Sequence, residues 1–260
     1  SAVLDKTVRN FPWPKSMRWG EGSLKWVRPL HSIICILYDE DGSMVVDIDI
    51  EGISSGDKTF GHRFMGNGEF SVNSFEDYAS KLKNEFVILD PSEREKIILH
   101  EIQNQAFAQG LELIDDPSLL NEVVGLIEWP VVLMGKLEDQ FLSLPPEVLQ
   151  TSMREHQKFF SILNPKNNKV VQFATVANRE TSDNGSTILA GNQKVLSARL
   201  ADAKFFWDND LRIVNTSGLD LWLEKLKQVT FHNKLGSQFE RVERITSLSG
   251  TIAKKIGCDP

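Results

Sequence analysis

Two short clusters hold side chains whose types suit chemistry on a phosphate or a base. His62 stands in "GHRF" beside Arg63 and Phe64. His156 stands in "REHQKFF", between Arg154 and Gln157 and ahead of two phenylalanines. A guanidinium fork, an amide, an imidazole and an aromatic face are the groups that hold phosphates, read base edges and stack bases. A structural hydrogen bond is the competing use of each histidine. A third stretch, "GNQKVLSARLADAKFFWDNDL" from Gly191 to Leu211, sets Lys194 and Arg199 ahead of Asp202 and the run Phe205, Phe206, Trp207.

Helical geometry explains part of that third stretch. At 100° per residue, Leu196, Leu200, Ala203, Trp207 and Leu211 form one apolar stripe, with Arg199, Asp202 and Phe206 at its border. Trp207 is therefore expected in the core, Phe206 half-buried, and Arg199 paired with Asp202 at i, i+3. Lys194 is expected near the helix start, where a cation opposes the helix dipole, so it is left over as a contact residue. The other histidines have packing or surface readings: His31 at a strand start, His100 inside a helix, and His232 at a helix C-terminus.

No catalytic device stands out. The chain has no G-x-x-x-x-G-K-[ST] loop for nucleotide phosphates and no G-x-S-x-G nucleophile elbow. "LHEIQNQ" begins like H-E-x-x-H but carries Asn104 where the second histidine must stand, so it cannot offer two zinc ligands on one helix face. Neither a catalytic residue nor a metal ligand is expected. Cys35 and Cys258 have no C-x-x-C partner, which suits a reduced, cytoplasmic setting without a disulfide framework.

The net charge of −7 over 260 residues argues against a nonspecific polyanion binder, but the charge is uneven. Residues 101–150 carry one Lys against nine acids, a balance of −8. Residues 151–200 carry seven Lys or Arg against three acids, a balance of +4, and the first 28 residues also stand at +4. A polyanion can meet such a chain locally. No apolar run approaches the roughly 20 residues that span a bilayer, and no membrane role is expected. The N-terminus lacks Met and an apolar leader, and reads as a segment cut from a longer protein.

The elements that must position these residues are of mixed kind. "FPWPKSMRWGEGSLKWVRPL" is too broken by Pro, Gly and Trp for a long helix and reads as an extended arm leading into a strand, within an N-terminal arm set at residues 1–28. Two strands flank the "DEDG" turn, the second with Met44, Val46, Ile48 and Ile50 alternating inward. Ser74 caps a helix with Phe75, Tyr78, Ala79 and Leu82 on one face. Asp90, Pro91 and Glu93 write the start of the next, and Gly110 stops it. Residues 127–141 read as a strand and hairpin, Pro145-Pro146 opens a helix to about Phe159, and "SILNPKNNKVVQFATVAN" reads as strand, turn, strand. Two helices, the second capped by Ser237 and Glu240, are expected as a hairpin over 213–260. Hairpins and helices without regular β-α alternation make the fold class α+β, with mixed or antiparallel sheets and packed helices.

Seven blocks, "KSMRWG", "VRPL", "GHRF", "LPPEVLQTSMREHQKFF", "TVAN", "AGNQKVLSARLADAKFFWDND" and "KLGS" with "RVERI", occur in an order that resembles the beta subunit of bacterial glycyl-tRNA synthetase. The likeness runs from about Pro14 to Gly257. It implies a body, residues 1–212, resembling the B3/B4 domain of the phenylalanyl-tRNA synthetase beta subunit, then a helical hairpin leading towards an HD-like domain. It implies an alpha subunit partner in an alpha2beta2 assembly, tRNA-Gly as substrate, ATP used by the alpha subunit, and no cofactor in this chain. Arg154, His156, Gln157, Asn178, Asn192 and Arg199 match the family pattern and are expected to face RNA or serve the architecture, with Lys194 as the remaining tRNA contact. Gln193-Lys194 and Ser197 depart from an expected Glu-Arg and a further Arg, which weakens a bidentate phosphate clamp on this helix. A hydrolytic editing-like module and a pure protein-interaction scaffold are the alternative functions.

Overall fold

The computed structural model describes residues 2–259. Helix α1 (Ala2–Arg9) leads into an irregular segment, followed by the short strands β1 (Ile33–Ile34), β2 (Ile36–Asp39), β3 (Gly42–Val45), β4 (Asp49–Ile50), β5 (Ile53–Gly56), β6 (Lys58–Phe60) and β7 (Glu69–Ser71). Next come α2 (Phe75–Asn84), α3 (Pro91–Phe107), β8 (Glu112–Leu113), α4 (Pro117–Leu126), β9 (Val131–Lys136) and α5 (Pro146–Ser152). The chain continues with β10 (Phe160–Asn164), β11 (Lys169–Ala177), α6 (Ser186–Ser217), α7 (Asp220–Lys225), β12 (Thr230–His232), β13 (Gly236–Ser237) and α8 (Gln238–Ile256).

An antiparallel sheet of order β8-β10-β11-β9 forms the centre. Val170, Phe173 and Ala174 of β11 are all buried, because helices cover both faces of the sheet. On one side Ile98, Ile102 and Ala106 of α3 and Leu119, Leu120, Val123 and Val124 of α4 pack on Val132, Phe160, Ile162 and Ala174. On the other, Leu149, Met153, Leu196 and Leu200 pack on Val170 and Phe173, bringing α5 and α6 onto the sheet. Strands covered on both faces read as near-continuous apolar runs rather than as alternation, and "VVQFATVA" is such a run.

The helix starts follow their caps. Asp90 accepts from the Ser92 amide at 2.8 Å, Asp116 from Leu119 at 2.9 Å and Ser74 from Asp77 at 3.1 Å, each satisfying an amide that has no partner inside the helix. Ser237 and Glu240 close a reciprocal capping box on α8. The strand pair around Asp41-Gly42 is present as β2 and β3. The α+β class with small mixed and antiparallel sheets is therefore observed, the mixed one joining β1 parallel to β5 and β5 antiparallel to β4.

Several expectations are corrected. The first residues of the arm form a helix that was not expected, with an Asp5–Arg9 pair at i, i+4; the stretch from Phe11 onward is non-helical and is tied by a Met17–Trp26 bridge. The alternation of residues 44–50 is broken: Met44 is exposed, and only Ile48 and Ile50 are buried. Phe75 is exposed although it shares the α2 stripe with buried Leu82. Residues 127–141 make no hairpin, since β9 pairs with β11 downstream. The helix after Pro145-Pro146 widens at Met153–Gln157 and ends with Lys158 left-handed. Between α7, only six residues long, and α8 stands the β12–β13 ladder. His232 therefore lies in a strand, its Nδ1 accepting from the Lys234 amide, not at a helix end.

One close approach sets the geometry of the central sheet. Gly135 faces Phe173 across β9 and β11, and a Cβ at 135 would lie 2.3 Å from the ring. Since Phe173 is fully buried, it has nowhere to retreat. Gly135→Ala is expected to destabilise the fold by about 1–3 kcal/mol, as overpacking does, and Gly135→Ala with Phe173→Leu to recover part of the loss. Thermal melts of the three proteins decide this; an unchanged Tm for the single variant contradicts it.

Candidate nucleic-acid interface

The residues singled out from sequence fall in three places. Arg154, His156 and Gln157 lie in the wide turn after α5, with Arg154 and His156 exposed and Gln157 half-buried. Arg154 pairs with Asp116 at 3.4 Å and Glu155 at 3.6 Å. It lines a cavity of about 280 Å³ together with Asp115, Asp116, Glu147 and Glu155. A wall so rich in carboxylates repels phosphate, and the guanidinium there balances protein charge. Lys158 is likewise taken by Glu122 at 3.0 Å.

Asn178, just past β11, is a joint. Its Oδ1 accepts from the Glu128 and Trp129 amides at 2.7 and 2.9 Å, and its carbonyl meets His62 Nε2 at 2.5 Å. His62 is buried, and its Nδ1 accepts from the Phe64 amide at 3.2 Å. The two bonds assign the tautomer with the proton on Nε2. The histidine of "GHRF" therefore fastens one loop to another. At 3% exposure and with both ring nitrogens engaged, it has the structural role rather than that of a free contact residue.

Asn192, Lys194 and Arg199 lie on α6. This helix starts at Ser186 because Asp183 gathers its first amides: Oδ1 takes Gly185 at 3.2 Å and Oδ2 takes Thr187 at 2.9 Å, while the Thr181 hydroxyl adds a third bond. Thr181 first, then Thr187, hold this carboxyl far below the usual aspartate range. Lys194 is therefore well inside the helix, not at its start, and the dipole argument against it lapses. Gln193 donates to the Lys136 carbonyl at 2.9 Å, and Ser197 bonds the Glu138 carboxylate. The Ser197 hydroxyl, and after it Gln140, keep Glu138 below its ordinary range. Both departures from the family pattern thus anchor α6 to the end of β9. Lys194 and Arg199 stay exposed and unpaired among the described residues, and no Arg199–Asp202 ion pair forms. By the 100° step they stand about 140° apart around the axis, so the two do not form one clamp. Trp207 is only half-buried beside the second core, and Phe206 is 63% exposed, edge-on to Phe205.

The structure adds a feature that sequence reading did not assemble. Phe64 is exposed, with the Arg63 and Arg179 guanidiniums 5.6 and 5.1 Å from its ring centroid. "GHRF" signalled two of the three; Arg179, beside Asn178, joins them only through the fold. Among the described residues there is no group of three side chains arranged to hold a metal ion, and no helix long and apolar enough to cross a membrane.

A family profile described as glycyl-tRNA synthetase beta subunit matches residues 1–259. The chain belongs to the glycyl-tRNA synthetase beta subunit family. The glycine–tRNA ligase beta subunit of Ruegeria sp. (strain TM1040) is 65% identical over 258 residues, covering 99% of this chain and 38% of that protein. That of Phenylobacterium zucineum (strain HLK1) is 48% identical over 260 residues, and that of Rhodospirillum centenum (strain ATCC 51521 / SW) 43% over 281, each again with 99% of this chain and 38% of the relative. The chain thus spans well under half the length of these beta subunits.

The hydrogen bonds at the start of α6 favour an ionised Asp183. A carboxyl with a depressed folded pKa contributes stability above its ordinary value, 3.8 here, and loses it as pH falls through the lower folded value. The Tm difference between the wild type and Asp183→Asn is expected to be constant near neutrality and to shrink below about pH 4. Melts from pH 2 to 7 test this, and a gap that widens in acid contradicts it.

Proposed function

We propose that this chain is a non-catalytic part of a glycine–tRNA ligase beta subunit, supporting the ATP-dependent attachment of glycine to tRNA-Gly in the cytoplasm. Activation of glycine with ATP belongs to a class II site in the alpha subunit, and the working assembly is alpha2beta2. Residues 1–212 form a B3/B4-like body, and 213–260 lead towards an HD-like domain. The body scaffolds the complex and meets tRNA through its free cations.

Family membership across residues 1–259 supports the reaction. The observation that carries the RNA-facing role is how charge is sorted within 151–200. Arg154 and Lys158 are taken by Asp116 and Glu122, so the acidic 101–150 segment neutralises part of the basic one. Lys166, Lys169, Arg179, Lys194 and Arg199 make no ion pair among the described residues. Those five are the charges available to phosphates. Arg154 and Asn178 serve the architecture; Lys194, opposite the buried Leu196 on its helix, is the better placed RNA contact, with Asn192 and Arg199 at the border.

The test uses the full-length alpha–beta complex. Glycylation of tRNA-Gly should require ATP and the alpha subunit. Lys194→Ala should lower the slope of log affinity for tRNA against log salt by about one, with Arg199→Ala changing it less and His156→Ala or Gln157→Ala leaving it unchanged. Slopes equal to the wild type in both the Lys194 and Arg199 variants would assign α6 to protein contacts.

A further inference from the structure

We propose that Phe64, with Arg63 and Arg179, forms a stacking platform for an unpaired nucleotide of the RNA bound by the beta subunit, an inference that rests on the tRNA-supporting function above. The ring is 64% exposed, so it contributes little to any core. Neither arginine is engaged in an ion pair among the described residues, and both guanidiniums lie within cation–π reach of the ring. Aromatic and guanidinium planes are the surfaces on which unstacked bases settle, and the same guanidiniums hold the flanking phosphates. Bases inside a duplex have no free face to offer, which selects unpaired nucleotides.

The loop is rigid where a platform needs it. The Phe64 amide is held by buried His62, whose other nitrogen is fixed to the Asn178 carbonyl. The chain then folds back, the Gly66 amide bonding the His62 carbonyl at 2.8 Å, so tightly that a Cβ at 66 would lie 2.8 Å from that oxygen. Beside the ring opens a cavity of about 400 Å³, also lined by Leu126 and Glu128. Arg94 also lines it but is committed to the carbonyls of Ile88, Leu89 and Val124. The carboxylates of Glu128 and of Glu180, which accepts from Trp129 Nε1 at 3.0 Å and keeps its charge, stand against the guanidiniums of Arg63, Arg94 and Arg179, an excess of one positive charge. The balance favours a polyanion over an acidic or neutral protein surface.

The test compares wild type, Phe64→Ala, Phe64→Trp and Arg63→Ala/Arg179→Ala in the full alpha–beta complex. Binding of a labelled tRNA-Gly transcript is followed by anisotropy at several salt concentrations, and subunit assembly by sedimentation. Phe64→Ala should weaken binding about tenfold, the size of one lost stack, while Phe64→Trp keeps wild-type affinity. The arginine pair should flatten the salt slope by between one and two, at about 0.7 per single-strand phosphate. Unchanged affinity in Phe64→Ala overturns the inference, as does equal loss in the Ala and Trp variants, which marks a disturbed loop. Loss of assembly with RNA affinity intact assigns the patch to a protein partner and also overturns it. A wild-type complex that fails to bind tRNA overturns the proposed function as well; wild-type binding with unaffected variants overturns the platform alone.

Discussion

A single strand buried on both faces governs the rest of this molecule. β11 lies between β10 and β9, with Ala174 packed against α3 and α4 and Phe173 against α5 and α6. A strand in that position must be apolar in every direction, must be covered twice, and must pair its backbone fully with two neighbours. Helices on both sides follow from the first two requirements. From the third follows Gly135, the point where β9 gives way to the Phe173 ring. The candidate site follows as well, because β11 ends at Ala177 and the next residues are Asn178 and Arg179.

Local signals were readable from sequence where a cap or a turn carries its own chemistry. Asp90-Pro91 and Ser237 with Glu240 set helix starts that the structure keeps, and the Asn-rich turn between β10 and β11 closes through Asn164 and Asn167 side chains. Asp116-Pro117 carries the same cap signal as Asp90-Pro91 and starts α4. Strand pairing was a different matter. Nothing within residues 127–141 says that β9 waits for β11, because the partner is specified by burial and not by the local pattern. The N-terminal helix was hidden by the Pro and Trp residues that follow it.

The candidate site was legible in composition and not in arrangement. Basic character in 151–200 and acidic character in 101–150 were visible in the sequence, but not that Arg154 and Lys158 would be bound by Asp116 and Glu122. Exposed pairs of this kind add little stability; their effect is to remove cations from the pool that can meet an outside polyanion. Ser197 makes the parallel point. Set against an expected arginine it reads as a lost phosphate ligand, whereas in the fold its hydroxyl is a tether to Glu138. The aromatic run 205–207 departs in the other direction: Phe206, expected half-buried, is largely exposed, and so is Phe205 beside it.

The end of β11 ties the two proposed RNA contacts to one part of the fold. Asn178 holds the 128–129 loop through its side chain and His62 through its carbonyl, so the position of Phe64 is inherited from the sheet. A few residues on, Asp183 starts α6, and Gln193 and Ser197 fasten that helix to the end of β9, the neighbour of β11. Lys194 and Phe64 are therefore referenced to the same pair of strands. A lysine on a long flexible stem positions phosphate loosely, while a ring pinned at its backbone selects geometry. Leaving most of a phenylalanine in water forgoes roughly 1–2 kcal/mol of burial. With two unpaired guanidiniums 5.6 and 5.1 Å from its centroid, a ring left that exposed is free for the outside interaction proposed for it.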